Sequence, residues 1–259
     1  MLSEHTVAAA ALAAGIEGPV HFAEATGSTN TDLWGLAEDG APEWTVFAAG
    51  TQEAGRGRLG RIWTSLPGES LFVSVLLRPV VEPSDAPLVS LAAAVAMTEA
   101  CRGAGVHADC KWPNDVVAAG RKLGGVLPEA SVQGQALSFV VLGTGVNCSQ
   151  AEADFPGELR LQATSVAREG GDPDPGPLLE RYLRRLRELY GDRGRDLSAR
   201  VLEPYRAACV TIGHRVRAIT AAGAIVDGVA REVGPAGELV VETSRGPERV
   251  QFGEIRHLE

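Results

Sequence analysis

Three arginines stand in and directly after the glycine-rich stretch GRGRLG at residues 55–60: Arg56, Arg58 and Arg61. Guanidinium groups bind phosphate oxygens through paired hydrogen bonds. Glycines let the backbone approach a ligand closely and become ordered when the ligand binds. The stretch therefore predicts a mobile loop that closes on a polyphosphate or an acyl phosphate. The alternative interpretation is a solvated basic turn without a ligand.

The same six letters also fit G-x-G-x-x-G, the pattern of dinucleotide-binding folds, in which a helix begins at the third glycine. A strand is predicted before the loop, at residues 45–52. After Gly60, however, Pro67 and Gly68 interrupt the chain ahead of an apolar run that is typical of a β-strand. The sequence therefore disfavours a dinucleotide-binding fold.

A second cluster of polar residues lies in KWPND at residues 111–115. Pro113 disfavours helical backbone at Trp112, so the segment predicts a fixed turn at the end of a strand. Three polar side chains are expected to project from this turn: Lys111, Asn114 and Asp115. For Trp112 itself, the alternative is a ring that simply packs inside the turn.

The segment RKLGG at residues 121–125 places Lys122 beside Gly124 and Gly125, where the backbone can approach a ligand closely. The ammonium group of a lysine would supply a compact positive charge at that point. The simpler alternative is that Asp115 and Lys122 flank one hairpin as an exposed ion pair of little energetic value.

Hydrophobic periodicity and turn residues predict the elements that must position these motifs. Helices are predicted at residues 28–40, 84–105, 178–192 and 196–210, with Ser84 capping the second and Pro204 straining the last. Strands are predicted at residues 69–79 and 136–148, with a hairpin that turns near Gly120. From residue 211 onward, short alternating strands predict a separate β module of the size of an SH3-like barrel.

Composition and charge limit the partners of the chain. Its 259 residues carry a net charge of -9, which disfavours nucleic acid as the main partner. No apolar stretch reaches ~18 residues, and Glu4 stands where a signal peptide would be basic, so a cytoplasmic protein without a membrane span is expected. The cysteines have no C-x-x-C spacing and are expected to be buried free thiols: Cys101, Cys110, Cys148 and Cys209.

Five motifs taken together resemble those of biotin protein ligases, in that family's order and at its spacings. They are GSTN (27–30), TQEAGRGRLGRIW (51–63), KWPNDVV (111–117), RKLGGVLPE (121–129) and GTGVN (143–147). The segment GEI at residues 253–255 also fits. The resemblance implies an α+β fold, with a mixed-sheet catalytic domain at residues 1–210 and a small SH3-like β-barrel at residues 211–259.

The resemblance implies a two-step reaction with ATP and Mg²⁺. The carboxylate of biotin attacks the α-phosphate of ATP, which gives biotinyl-5′-AMP and pyrophosphate. A lysine of a biotin carboxyl carrier protein domain, part of an acyl-CoA carboxylase, then attacks this mixed anhydride. The products of that second step are an amide and AMP.

The resemblance also assigns residues to the site. It places Lys122 between the biotin carboxylate and the α-phosphate, Trp63 against adenine, and Asp115 near the phosphates or the incoming lysine. The catalytic residues it implies are Lys122, Arg58 and Asp115. The biotin-binding residues are Ser28, Thr29, Asn30, Gln52, Gly55, Arg56, Gly57, Arg58, Lys122, Gly124 and Gly125. The ATP-binding residues are Arg56, Arg58, Arg61, Trp63, Lys111, Asn114, Lys122 and Asn147.

Some features of the sequence depart from the family, and some alternatives stay open. Only about 20 residues precede the region of resemblance, so the helix-turn-helix domain of the repressor-type members is not expected, nor is DNA binding. Pro128 stands where an ordinary β residue is more usual. A lipoate–protein ligase, an octanoyl transferase of the same fold, and a non-catalytic biotin-binding regulator remain as alternatives. The sequence leaves open whether the chain is a monomer or a homodimer.

Overall fold

A computed structural model describes residues 2–64, 66–134, 136–220, 223–251 and 253–258. The helices are α1 (Glu4–Ala13), α2 (Thr29–Glu38), α3 (Ala86–Gly103), α4 (Pro175–Tyr190) and α5 (Leu197–Ala208). The first seven strands are β1 (Val20–Ala23), β2 (Val46–Ala49), β3 (Ser70–Leu77), β4 (Ala108–Lys111), β5 (Asp115–Ala118), β6 (Arg121–Gln133) and β7 (Ala136–Asn147). The last five are β8 (Arg215–Thr220), β9 (Ile225–Val233), β10 (Leu239–Thr243), β11 (Gly246–Val250) and β12 (Gly253–His257).

The first seven strands form one mixed sheet in the order β1-β2-β3-β7-β6-β5-β4. Only the β1–β2 pairing is parallel in this sheet, as far as the described residues go. Helix α3 packs against one face of the sheet, and α4, which contacts β3, packs on α3 together with α5. This face holds the main hydrophobic core. The predicted α+β class with a mixed sheet is therefore confirmed.

Helix α2 covers part of the opposite face. It contacts β2, β3 and β7 over a small second core. The buried members of this core are Leu33, Ala37, Leu76, Phe139 and Val141. On the same face, the chain segment of the glycine-rich motif and its arginines lies beyond the N-terminal end of α2. This face carries the candidate site.

The five C-terminal strands form an antiparallel sheet in the order β11-β10-β9-β8-β12. The expected C-terminal β module is present as this sheet. Among the described residues no pairing joins β11 to β12, so no closed barrel is found. The module is attached to the larger sheet through Trp112, whose indole Nε1 donates to the carbonyl oxygen of Gly237 at 2.9 Å. Arg206 Nε also donates to the carbonyl oxygen of Val233, at 2.8 Å. The division of the chain at residues 210 and 211 stays a prediction.

Most predicted elements are present, and one local expectation needs correction. Asp85 rather than Ser84 occupies the cap position of α3, because a 3₁₀ turn over Pro83–Asp85 leads into the helix. Pro128 lies within β6 without interrupting it, and Pro204 lies within α5. No helix begins at Gly60, where only a 3₁₀ turn is formed, so the argument against a dinucleotide fold is confirmed.

Two predictions from the composition concern the cysteines and a membrane-spanning helix. The four cysteines are free and buried, as predicted. Burial raises the pKa of the Cys110 and Cys148 thiols to about 12, so these side chains are unreactive. Across the described ranges, no helix combines the length and apolar character needed to cross a membrane.

Replacing Leu33 with alanine tests how far α2 depends on its small core. Leu33 is fully buried, so Leu33→Ala should lower the free energy of unfolding by about 3 kcal/mol, measured by urea denaturation. The matched control is Leu12→Ala, because that side chain is 78% exposed and its loss should cost less than about 0.5 kcal/mol. Equal effects of the two substitutions would contradict this description of the core.

Candidate functional site

Glycines on β7 leave the strand backbone open to side chains from other elements. A Cβ atom at Gly143 would lie 2.2 Å from Asn30 Oδ1, so the amide of Asn30 packs directly on the strand. A Cβ atom at Gly145 would lie 3.3 Å from the indole ring of Trp63. Gly145 pairs in register with Gly125 of β6. These glycines form a flat floor on which Asn30 and Trp63 rest.

The N-terminus of α2 brings three predicted residues to one edge of this floor. Thr29 donates from its backbone N–H and from Oγ1 to Gln52 Oε1, at 2.8 Å and 3.1 Å. The Ser74 hydroxyl lies 2.8 Å from Thr29 Oγ1 and 2.6 Å from Asn30 Oδ1. Ser28 is buried at the cap position, and its side chain makes no capping hydrogen bond to the helix. The result is a buried cluster of donors and acceptors.

Asn30 joins this polar cluster to β6. Its Nδ2 donates to the carbonyl oxygen of Leu127 at 3.1 Å and to Glu129 Oε2 at 2.7 Å. The same carboxylate oxygen accepts from Arg56 at 2.9 Å, and Arg56 also donates to Thr31 Oγ1 at 3.2 Å. The first arginine of the glycine-rich loop is therefore tied to the floor.

The other two arginines of the loop are held by different parts of the chain. Arg58 donates to Asn114 Oδ1 at 2.9 Å and to the carbonyl oxygen of Gly253 at 3.1 Å. Arg61 forms an ion pair with Glu254 at 2.5 Å. Burial lowers the pKa of Arg58, and the nearby charge of Asp115 opposes that shift. The hydrogen bond from Arg61 is the main cause that lowers the pKa of Glu254.

A cavity of ≈ 580 Å³ lies beside this loop. Leu127 and Glu129 of β6 line this cavity. The rest of its lining comes from the loop, between Glu53 and Ile62. The loop is narrow, because Gly57 N–H donates to the Arg61 carbonyl oxygen at 2.7 Å. The loop differs from a simple solvated turn, because its arginines have partners across the site. Its closing on a phosphate stays a prediction.

Lys122 lies at the other end of the floor. Its Nζ is 2.6 Å from Asp115 Oδ1 and 5.5 Å from the centre of the Trp63 ring. A Cβ atom at Gly125 would approach Lys122 Cε to 3.3 Å, so this glycine leaves room for the lysine side chain. The ion pair that the hairpin suggested is confirmed, and both members are only part-buried. Its role in chemistry stays a prediction.

Gly124 and Trp112 make contacts that hold parts of the fold together. A Cβ atom at Gly124 would lie 2.8 Å from the carbonyl oxygen of Gly145, so the glycine permits close contact between β6 and β7. Trp112 is buried, and its backbone N–H donates to Thr211 Oγ1 at 3.0 Å. The interpretation of Trp112 as a ring packed inside its turn is therefore confirmed.

Two of the predicted nucleotide residues are held by other parts of the fold. Asn147 is buried at the end of β7, and its Nδ2 donates to the carbonyl oxygen of Thr164 at 2.9 Å. The backbone N–H of Thr164 donates in turn to the carbonyl oxygen of Lys122 at 2.8 Å. Lys111 lies at the end of β4, close enough to His257 of the C-terminal module to affect its titration. Their proposed contacts with a nucleotide stay predictions.

The structure adds site residues that the sequence did not single out. They are Ser74, Glu129, Gly143, Gly145 and Glu254, identified by the contacts described above. Ser74 carried the clearest signal, because it is a polar residue within an otherwise apolar buried strand, SLFVSVLL. Buried polar groups need hydrogen-bond partners, so such a residue points to a neighbouring polar cluster.

Comparisons with known proteins identify the family of the chain. The family model described as biotin/lipoate A/B protein ligase matches residues 22–147. The chain is 37% identical over 240 residues to the biotin--[acetyl-CoA-carboxylase] ligase of Mycobacterium tuberculosis, covering 90% of this chain and 86% of that protein. It is also 31% identical to the bifunctional ligase/repressor BirA of Bacillus spizizenii, covering 90% of this chain and 72% of that protein.

The chain thus belongs to the biotin/lipoate A/B protein ligase family. The expected resemblance to biotin protein ligases within it is confirmed by these relatives. A solved structure, the biotin protein ligase from Aquifex aeolicus in complex with biotin and ATP, superposes with a TM-score of 0.72. It shares 22% sequence identity, and the match covers 93% of this chain and 99% of that one. At this identity, the likeness establishes the fold.

The histidine beside Lys111 predicts a pH dependence of stability. Burial, Lys111 and His214 lower the pKa of His257 from 6.5 to about 4, so the folded protein keeps this ring neutral where the unfolded chain would protonate it. The stability that this preference contributes is complete above pH 6.5 and is lost as the pH falls towards 4. We expect His257→Gln to reduce the loss of stability across that range, measured by urea denaturation at several pH values.

The matched control for this substitution is His5→Gln, because His5 is exposed on α1. The control should keep the wild-type dependence of unfolding free energy on pH. An unchanged dependence in His257→Gln would contradict the role given to the half-buried ring.

Proposed function

We propose that the chain is an ATP-dependent biotin protein ligase that makes biotinyl-5′-AMP and transfers biotin to a lysine of a biotin carboxyl carrier protein domain. One observation carries the proposal. A buried cluster of uncharged donors and acceptors and a pair of cationic side chains, Lys122 and Arg58, flank a single glycine floor. The Mycobacterium tuberculosis relative is named for the same activity, with acetyl-CoA carboxylase as its target.

The polar cluster suits the ureido ring of biotin, which has both donors and acceptors. Thr29, Ser74 and Gln52 already exchange hydrogen bonds among themselves and would reorient towards a ring that enters. Leu127, which lines the cavity beside the loop, offers an apolar wall for the aliphatic chain of biotin. A mostly apolar pocket with a few placed polar groups is the usual composition of a small-molecule site.

The activation step brings two anions together, the biotin carboxylate and ATP, and the cationic side chains offset their repulsion. A carboxylate oxygen of biotin forms a bond to the α-phosphorus, while the bond to the pyrophosphate oxygen breaks and pyrophosphate leaves. Lys122 would lie between the two groups and offset the negative charge that develops on the phosphate oxygens. Arg58 would bind the phosphate, because its described hydrogen bonds go to neutral oxygens.

Mg²⁺ on the phosphates of ATP would share this neutralisation. Magnesium in nucleotide sites takes most ligands from phosphate and water and few from the protein. The residues that the structure describes offer no group of three acidic, histidine or cysteine side chains arranged as a metal cage, which fits a cation carried by the nucleotide.

The second step would use the other end of the site. The lysine amine of the carrier attacks the carbonyl carbon of the mixed anhydride, a proton leaves the nitrogen, and AMP departs with the electrons of the broken C–O bond. Asp115, next to Lys122, is our candidate to accept that proton or to orient these groups. The glycine-rich loop would exclude water and stray amines from the anhydride. Trp63 would stack on the adenine ring.

The substitution Asp115→Asn tests this role. It should lower the rate of transfer to the carrier by more than about tenfold, because amide nitrogen cannot accept a proton. It should change stability by less than about 1 kcal/mol, since the ion pair is part-exposed. The matched control is Asp109→Asn. Asp109 lies on β4, and its carboxylate pairs with Arg102 at 2.8 Å. A transfer rate in Asp115→Asn equal to that of the control would rule the role out.

Biotin-dependent exchange of pyrophosphate into ATP is the experiment that tests the proposed function. Exchange with biotin and none with lipoate supports the proposal. Exchange with lipoate alone would favour the lipoate ligase alternative, and biotin binding without exchange would favour a regulator. The proposal places the enzyme in the cytoplasm, where ATP is made available and cysteine thiols stay reduced.

A further inference from the structure

One carboxylate oxygen, Glu129 Oε2, accepts from both the predicted biotin residue Asn30 and the first loop arginine, Arg56. The two donor–acceptor distances are 2.7 Å and 2.9 Å. The Glu129 side chain is 27% exposed, and it lines the cavity beside the loop. A carboxylate at this point repels the anionic substrates of the proposed reaction. We therefore expect Glu129 to have a role in the site that offsets this repulsion.

The contacts of Glu129 with Asn30 and Arg56 indicate this role. Arg56 neutralises the charge of Glu129 and also reaches Thr31 of α2, so this arginine is committed to contacts within the protein. Arg58 and Arg61, farther along the loop, are held by Asn114 and by the C-terminal module. The first half of the loop is thus attached to β6 and α2, and the second half to separate elements.

We propose that Glu129 is a positioning residue that anchors the glycine-rich loop to the polar cluster. Because the same oxygen orients the Asn30 amide and holds Arg56, a ligand that orders Asn30 also orders the loop. On this view Arg56 is an anchor, and the phosphate-binding charge of the loop comes from Arg58. The part of this inference that names the ligand as biotin rests on the proposed function.

The anchor itself can be tested without any ligand, by limited trypsin digestion of the full chain. In Glu129→Gln, cleavage after Arg58 or Arg61 should become about two- to fivefold faster, since loss of a part-exposed ion pair raises the population of the detached loop. The cut sites are identified by mass spectrometry. The matched control is Glu99→Gln, because Glu99 pairs with Arg185 at 2.7 Å on α3 and α4, away from the site. Unchanged cleavage in Glu129→Gln would overturn the anchor.

The coupling is tested by calorimetric titration of biotin into the same proteins. Glu129→Gln should weaken biotin binding about three- to tenfold, because Asn30 loses a charged acceptor, while its melting temperature stays close to that of Glu99→Gln. Faster cleavage with unchanged biotin affinity would contradict the coupling. Arg56→Gln supplies the second variant if Glu129→Gln does not fold, and it should show the same faster cleavage after Arg58 or Arg61.

The double substitution Glu129→Gln/Arg56→Gln separates an anchor from two independent effects. The double variant should be cleaved no faster than Arg56→Gln alone, because Arg56→Gln already removes the contact with Glu129. Additive increases would overturn the proposal. If wild-type protein does not bind biotin, the proposed function fails, and the cleavage experiments still decide whether Glu129 anchors the loop.

Discussion

The site depends on the absence of side chains at a few positions of β6 and β7. Asn30 and Trp63 can lie on the backbone of β7 only because Gly143 and Gly145 carry no Cβ atom. Lys122 folds over Gly125 for the same reason. A larger residue at any of these positions would push one group of the site away from the sheet. Close packing of backbone against side chains therefore sets the positions of Asn30, Trp63 and Lys122.

Charge balance is the second constraint. Three of the four cations that surround the floor are paired with carboxylates: Arg56 with Glu129, Arg61 with Glu254, and Lys122 with Asp115. Arg58 differs, because its described hydrogen bonds go to neutral oxygens. An anionic substrate would meet Arg58 without displacing a hydrogen-bonded carboxylate, whereas it must compete with Asp115 for Lys122. This difference supports separate roles for the arginines of one loop.

The sequence alone predicted the parts of this arrangement that are local. The Lys122–Asp115 pair lies within one hairpin, and the helix that carries Thr29 and Asn30 begins at a recognisable cap. The contacts of Glu129 and Glu254 with the loop join residues far apart in the chain, 73 residues apart in the case of Glu129 and Arg56. Such contacts depend on strand register and on the docking of the C-terminal module, which single-sequence patterns do not define.

Local patterns also leave open whether the C-terminal sheet closes into a barrel. Alternating strands and short turns predict antiparallel pairing between neighbours, and those pairings are present from β8 to β11. Closure requires a pairing between the first and last strands of the sheet order, and no local pattern specifies it. Within the described residues, β12 pairs with β8 and extends the open sheet.

Calorimetric titration of biotin into the wild-type chain, with and without a non-hydrolysable ATP analogue, decides whether the polar cluster and the loop cations form one site for biotin and nucleotide. We expect one tight biotin site per chain whose affinity rises when the analogue is present, since both ligands would order the same loop. Absence of biotin binding under both conditions would contradict this expectation.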